Sequence, residues 1–280
     1  MISIPIGEWF DALINWLKDT FPAFFGAVGT VIDWCISLFE TVLSWPHPWV
    51  MILVFTGLAW AACGLKKYGL ALFSLVGFSL IMGMGLWSHT MHTLALVLAS
   101  TLLALLIGIP VGIYAGRSEM GERIVRPILD FMQTMPAFVY LIPAVMLFSL
   151  GKVPGAIATV IFAMPPCVRL TTLGLRQVPH DVLEASDAFG ATPLQQLVKV
   201  QLPMALPSIL AGVNQTIMLA LSMVVIAAMI GAGGLGGQVL RGITQLRIDI
   251  GFEGGIAIVI LAMYLDRVTH ALGSRSARKQ

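Results

Sequence analysis

His89 and His92 stand one helical turn apart, with Met82, Met84 and Met91 close by in the chain. Imidazole and thioether at that spacing have the chemistry of a soft-metal entry site. No acidic or cysteine partner joins them. Histidine and methionine are also ordinary packing and snorkelling residues where a helix meets a membrane surface, and that is the reading adopted. His47, His180 and His270 are isolated, and Cys35, Cys63 and Cys167 lie far apart with no CxxC pair, so neither zinc nor a disulfide framework is signalled. Asp130, Glu253 and Asp266 fall near the ends of apolar stretches instead of forming an intramembrane pair, which disfavours a proton relay. Sodium coupling through backbone carbonyls would leave little trace in sequence and stays open. No GxxxxGK[ST] occurs, so the chain does not cradle nucleotide phosphates. No His, Asp or Ser constellation appears within the apolar stretches, so no catalytic residue is assigned and an embedded enzyme is disfavoured.

The remaining polar chemistry lies in two stripes. Gln133, Pro136, Tyr140 and Pro143 fall within about 80° of one another on a helical wheel at 100° per residue. Proline frees backbone carbonyls that neighbours or water must satisfy, so this face suits a cavity or a helix contact better than lipid. Asn214, Gln215, Met218 and Ser222 occupy a second sector of about 100°. These stripes border a translocation path, or they are interhelical hydrogen-bonding residues of the kind common in membrane bundles. Sequence leaves both readings open.

The elements that must position these residues are membrane spans. The 280 residues are 58% hydrophobic and 11% charged, with a mean hydropathy of +0.92, whereas charged residues make up about 25% of soluble proteins. The expected fold is therefore an all-α polytopic membrane protein. The formal charge of +2 comes from few basic residues that form no patch, so nucleic acid is not an expected partner and membrane lipid is. The stretch 1–45 reads as an amphipathic N-terminal arm, periplasmic or interfacial: Trp9, Phe10, Leu13, Trp16 and Leu17 share a helical face, and Asp33 and Glu40 interrupt the apolar run that follows. Its first residues lack the basic and apolar regions of a cleaved signal peptide. Seven spans are expected at 48–64, 69–87, 90–115, 128–151, 154–175, 206–230 and 254–272, each approaching the roughly 20 residues a bilayer requires. The first two, within 46–87, are peripheral, and 88–273 is the core domain. A basic cytoplasmic tail occupies 274–280. With the N-terminus outside and the C-terminus in the cytoplasm, only Lys18, Lys152, Arg241 and Arg247 of the 16 basic residues lie outside, as the positive-inside rule requires. The glycine-dense segment from Gly231 to Gly237 reads as a tight external loop.

This orientation places the longest polar segment, within the loop 177–205, in the cytoplasm. From Glu184 to Pro203 the chain reads as an acidic, small-residue helix that breaks at Gly190 and restarts with Thr192 as N-cap, Pro193 at the first helical position and Gln195 completing a capping box. Two short amphipathic helices at a membrane surface offer a patterned face to a partner.

The same segment resembles the cytoplasmic "EAA" loop of ABC importer permeases: Glu-Ala-Ala, three residues, Gly, nine residues, Ile, one residue, Leu-Pro. Glu184, Ala185, Gly190, Leu202 and Pro203 match in register, while Ser186 stands for Ala and Val200 for Ile. The stretches MQTMPAFVYLIP, PSILAGVNQTIMLALSMVVIAAMIGAGGLG and FEGGIAIVILAMYLDR extend the likeness over roughly residues 46–272, toward the permeases that take up glycine betaine, proline betaine or choline. The resemblance implies a type I importer in the bacterial inner membrane. It implies a second permease copy, most simply a homodimer, with an ABC ATPase subunit that binds ATP and Mg and an extracytoplasmic substrate-binding protein. No cofactor is then expected in this chain. Carried onto this sequence, Glu184, Ala185, Ser186, Asp187, Gly190, Leu194 and Leu197 become the ATPase-docking residues. Gln133, Pro136, Tyr140, Asn214, Gln215, Met218 and Ser222 become the translocation-path candidates. The faces of Phe131, Phe138, Tyr140 and Phe148 suit a quaternary ammonium group, or packing equally well. An importer for another small solute such as an amino acid, or an ion-coupled secondary transporter, is the alternative.

Overall fold

The structure is a computed structural model that describes residues 5–63 and 68–278, without the side chains of 63 and 272–278. The basic side chains expected at the inner surface at Lys66, Lys67, Arg275, Arg278 and Lys279 lie outside this description. Every element among the described residues is helical: α1 (Ile6–Thr20), α2 (Pro22–Ser44), α3 (Pro48–Cys63), α4 (Gly69–Gly83), α5 (Trp87–Arg117), α6 (Glu119–Thr134), α7 (Leu141–Phe148), α8 (Lys152–Arg176), α9 (His180–Ala188), α10 (Pro193–Gln196), α11 (Leu202–Ala228), α12 (Gly234–Thr244) and α13 (Ile248–Arg278). A 3₁₀ turn (Ala137–Tyr140) leads into α7, and a π-helical turn (Leu197–Gln201) joins α10 to α11.

The core is built from α5, α8 and α11, which cross so closely that only small residues fit between them. A methyl group placed on Gly112 of α5 would lie 2.6 Å from Thr171 Cβ of α8, and one on Gly174 of α8 would lie 2.8 Å from Ser208 Cβ of α11. In a membrane, where lipid tails are as apolar as the helices, such close contact supplies dispersion energy that the hydrophobic effect cannot. A second cluster joins α3, α4 and α13: Phe55 stacks on Phe78 at 4.7 Å, Tyr264 meets both edge-on, and its hydroxyl donates to the Phe55 carbonyl at 3.0 Å.

Among the described residues, five helices are long and apolar enough to cross a membrane, or six if a bent pair counts as one span. They differ in three places from the seven expected stretches. Over the described residues the stretches 48–64 and 69–87 form α3 and α4, of 16 and 15 residues, against the roughly 20 that match a hydrocarbon core. The run after Phe21, expected as interfacial because of its acidic residues, is one 23-residue helix with the length and hydropathy of a span. Glu40 is tolerated there because Lys152 Nζ donates to both its oxygens, at 2.5 and 2.6 Å, and His92 Nδ1 lies 3.0 Å away. The α2 side chains Ile32, Cys35 and Ile36 pack in one cluster with Leu96, Ala99 and Ala156, so this helix is seated on the core.

The third difference is the stretch 128–151, expected as one span. It is α6 and α7, bent by 106° around an extended Met135 and Pro136. Proline pushes the residue before it out of the helical region and removes a backbone donor, which is enough to end α6. The glycine-dense segment also departs from a simple loop. Gly231, Gly233 and Gly234 have positive φ, but the chain then enters α12, whose Leu235 N–H is capped by Thr93 Oγ1 at 2.8 Å.

Candidate coupling loop and polar faces

The polar loop is shaped by local chemistry. After α8 ends, Val178 is buried and Pro179 opens α9. Helix α9 carries no buried residue and ends where Gly190 adopts φ +75° with no atom near its missing side chain. That conformation is left-handed and costs a Cβ-bearing residue about 1–2 kcal/mol, so glycine stands here for its backbone. Thr192 then caps α10. The Gln195 N–H donates to Thr192 Oγ1 at 3.3 Å, and the Thr192 N–H donates to Gln195 Oε1 at 2.9 Å. This is the capping box expected from sequence. The second helix, however, is no short surface helix. Through the π-helical turn it runs into α11, giving a 36-residue rod, Pro193–Ala228.

The seven docking candidates divide by where their side chains sit. Glu184, Ala185, Asp187, Gly190 and Leu194 are exposed; Glu184 lies 3.0 Å from His180 one turn back. Ser186 and Leu197 turn inward. The Ser186 hydroxyl donates to the Leu183 carbonyl at 2.8 Å, and Leu197 packs on the cluster of Leu175, Ala205 and Ile209. Phe189, absent from the residues expected to dock, is 93% exposed, and Leu194 is 68% exposed. Phe189 is the only Phe, Tyr or Trp between His180 and Gln201. An aromatic alone in a polar loop beside a glycine is the signal that could have found it. Gln196 is a second such residue: its Nε2 lies 2.8 Å from Ser186 Oγ, 2.9 Å from Asp187 Oδ1 and 3.2 Å from the Leu183 carbonyl.

Near the root of this loop, α6 and the end of α8 enclose a cavity of about 330 Å³ lined by Glu122, Arg126, Asp130, Arg169 and Arg176 among others. Two ion pairs cross it, Arg169 to Asp130 at 2.5 Å and Arg176 to Glu122 at 2.6 Å, and tie α6 to α8.

The stripe expected on one face of 128–151 does not exist as a face, because the break at Met135–Pro136 separates Gln133 from Tyr140. Gln133 and Pro136 are exposed, while Tyr140 is buried and its hydroxyl donates to the Met132 carbonyl across the bend. Phe148 is held edge-on by Phe25 at 5.8 Å. The stripe on α11 divides. Asn214 Nδ2 donates to Asp266 Oδ1 at 2.9 Å, and Asn214 Oδ1 accepts from Thr269 at 2.6 Å, so Asn214 joins α11 to α13. Gln215, Met218 and Ser222 remain exposed along one side of α11. His89 and His92 likewise have separate partners: His89 Nε2 is 2.7 Å from Gln238 Nε2, and His92 meets Glu40.

A close-packed helical core with a protruding helix, glycine joint and capped helix is the arrangement of a type I ABC importer permease. The chain belongs to the family of binding-protein-dependent transport system inner membrane components, whose model matches residues 108–278. It is 50% identical to the glycine betaine transport system permease protein OpuAB of Bacillus subtilis (strain 168), over 95% of this chain and 93% of that protein. It is 51% identical to the glycine betaine/proline betaine transport system permease protein ProW of Escherichia coli (strain K12), over 98% of this chain and 76% of that protein. Among solved structures, the inward-facing MetNI methionine ABC transporter superimposes with a TM-score of 0.61 at 25% identity, over 66% of this chain and 93% of that one.

Proposed function

We propose that this chain is the membrane-spanning subunit of an ATP-driven importer of glycine betaine and related quaternary ammonium solutes. The two permeases about half identical to it carry those names, and their likeness extends over nearly the whole chain. In this reading a cytosolic ATPase subunit holds ATP and Mg, an external binding protein delivers the solute, and a second copy of the chain completes the path. The reading places α9 in the cytoplasm and α11 beside the path.

The single observation that carries the coupling role is the loop itself. Phe189 is 93% exposed and Leu194 68% exposed on a capped turn. An exposed aromatic anchor flanked by Glu184 and Asp187 is the feature a partner groove buries. ATP binding by the partner would then move α9, and with it α11. Such a movement requires that nucleotide favour one conformation of the complex over the other, with the docked loop carrying the difference. Gln215, Met218 and Ser222 on the exposed side of α11 are the residues proposed to meet the solute in passage, with Gln133 and Pro136 near the inner bend. Asn214 and Tyr140 support that path from behind.

The test is uptake of labelled glycine betaine into proteoliposomes holding this chain with its ATPase and binding protein. ATP-dependent uptake, competed by proline betaine or choline and unaffected by collapse of the sodium and proton gradients, is the expected result. Uptake that survives inactivation of the ATPase would point to ion coupling instead.

A further inference from the structure

We infer that Gln196 is the strut through which the coupling helix moves the long rod of α10 and α11, a positioning role that rests on the coupling reading above. Helix α9 has no buried residue of its own, so packing alone cannot make it move with the bundle. At its entry it is tied to α8 by the chain and by buried Val178. At its exit the backbone passes through Gly190, where a side chain would have open space; the Gly190 N–H donates to the Asp187 carbonyl at 2.9 Å and the Ala191 N–H to the Ser186 carbonyl at 3.1 Å, bonds that close the end of α9 and stop short of α10. Beyond Ala191, the hydrogen bonds that tie α9 to α10 come from one side chain among the described residues: Gln196 Nε2 faces the Leu183 carbonyl, Ser186 Oγ and Asp187 Oδ1, all within 3.2 Å and all on α9.

An amide nitrogen carries two hydrogens, so the three acceptors share them. The bond to the Asp187 carboxylate is charge-assisted and is the strongest of the three. On the other side of Gln196, the next residue is Leu197, wedged against Leu175, Ala205 and Ile209, which belong to α8 and α11. The chain from Leu197 to Gln201 is a π-helical turn, and the Arg117 guanidinium reaches the Pro193 carbonyl at 3.4 Å. The start of the rod is thus fixed to the bundle on one side and, through Gln196, to α9 on the other. A pull on α9 reaches the rod through this side chain as well as through the backbone at Gly190 and Ala191, and without it only the backbone turn is left to carry the pull.

Two measurements test the strut. In the isolated permease, hydrogen exchange of the α9 amides should quicken by about tenfold in Gln196→Ala, whatever the solute carried; unchanged exchange would overturn the inference. In proteoliposomes of the full complex, the number of glycine betaine molecules taken up per ATP hydrolysed should fall about fivefold or more, the lower range of a typical coupling energy, with the ATPase subunit still bound. Gln196→Glu, which sets a carboxylate against Asp187, should fall at least as far. The double variant Ser186→Ala with Gln196→Ala should fall no further than Gln196→Ala alone, since both act through one network. Faster exchange with an unchanged uptake-to-ATP ratio, loss of the ATPase from the complex, or losses that multiply in the double variant would each overturn the coupling role. Failure of the wild-type complex to import betaine would strike the functional reading, and the exchange experiment would then judge the strut alone.

Discussion

The α5, α8 and α11 crossing and the α9 to α10 loop hold together by opposite means. At the crossing, glycines let backbones meet, with no room for a single added carbon at Gly112. In the loop, a side chain on the glycine would meet nothing, no α9 residue is buried, and the joint is spanned by one backbone bond, Ala191 to Ser186, and the polar bonds of Gln196. Close packing makes the crossing a rigid body that transmits displacement without absorbing it. Sparse, exchangeable hydrogen bonds leave the loop free to fit a partner. The contrast teaches that glycine serves two purposes here: close approach in the core and a left-handed turn in the loop.

That contrast can be broken most severely at the crossing. Gly112→Leu should be among the most damaging single changes, since its Cβ would sit 2.6 Å from Thr171 Cβ and 2.9 Å from the Val168 carbonyl. We expect a loss of about 3 kcal/mol, seen as a collapse in yield and in thermal stability in detergent. A stable Gly112→Leu permease would show that the helices can separate, and the rigid-body description would fail.

Phe189→Ala should do the reverse, leaving thermal stability unchanged because the ring touches little of its own chain. Its affinity for the ATPase subunit should drop by about tenfold to thirtyfold, the loss of about 2 kcal/mol typical of an aromatic anchor. Titration of labelled ATPase onto the permease in nanodiscs measures this directly. Equal affinity for the variant and the wild type would remove Phe189 from the interface.

Gly190→Val sharpens the comparison between the two glycines. Here there is space for the side chain but not for its backbone angle of +75°, so the cost is about 1–2 kcal/mol of local strain with no clash. The fold should survive with its melting temperature nearly intact, while uptake per ATP falls severalfold. Normal coupled uptake in this variant would argue that α9 needs no defined joint. The smallest effect is expected at Gln215→Ala on the exposed side of α11, about a threefold fall in betaine uptake with ATPase binding and stability untouched.

Local features are legible in the residue order itself. The break at Gly190, the Thr192 cap, Pro193 at the first helical turn and the reciprocal Gln195 bond all depend on residues within about four positions of one another, and such contacts are written in the chain as spacing. The α11 stripe is legible as a face for the same reason: helical period places residues on one side whatever lies opposite. The family likeness in the loop rests on this local register as well.

What the tertiary structure decided is what each face meets. Asn214 and Ser222 belong to one helical stripe, yet Asn214 bonds to Asp266 and Thr269, 52 and 55 positions away, while Ser222 is exposed. Glu40 taken alone is too costly for a span, and it is Lys152, 112 positions on, that neutralises it there. Pro136 is visible in the sequence, but whether proline kinks a membrane helix or ends it depends on the neighbours available to the freed carbonyls. Here the chain turns by 106° and Tyr140 satisfies one of the carbonyls before the bend. The sequence by itself determined the Gly190 break, the Thr192 cap and the apolar faces of the helices, because those follow from short-range backbone and solvation energies. The tertiary structure alone decided which polar groups are neutralised and which stay open to a partner, because that depends on distances between residues far apart in the chain.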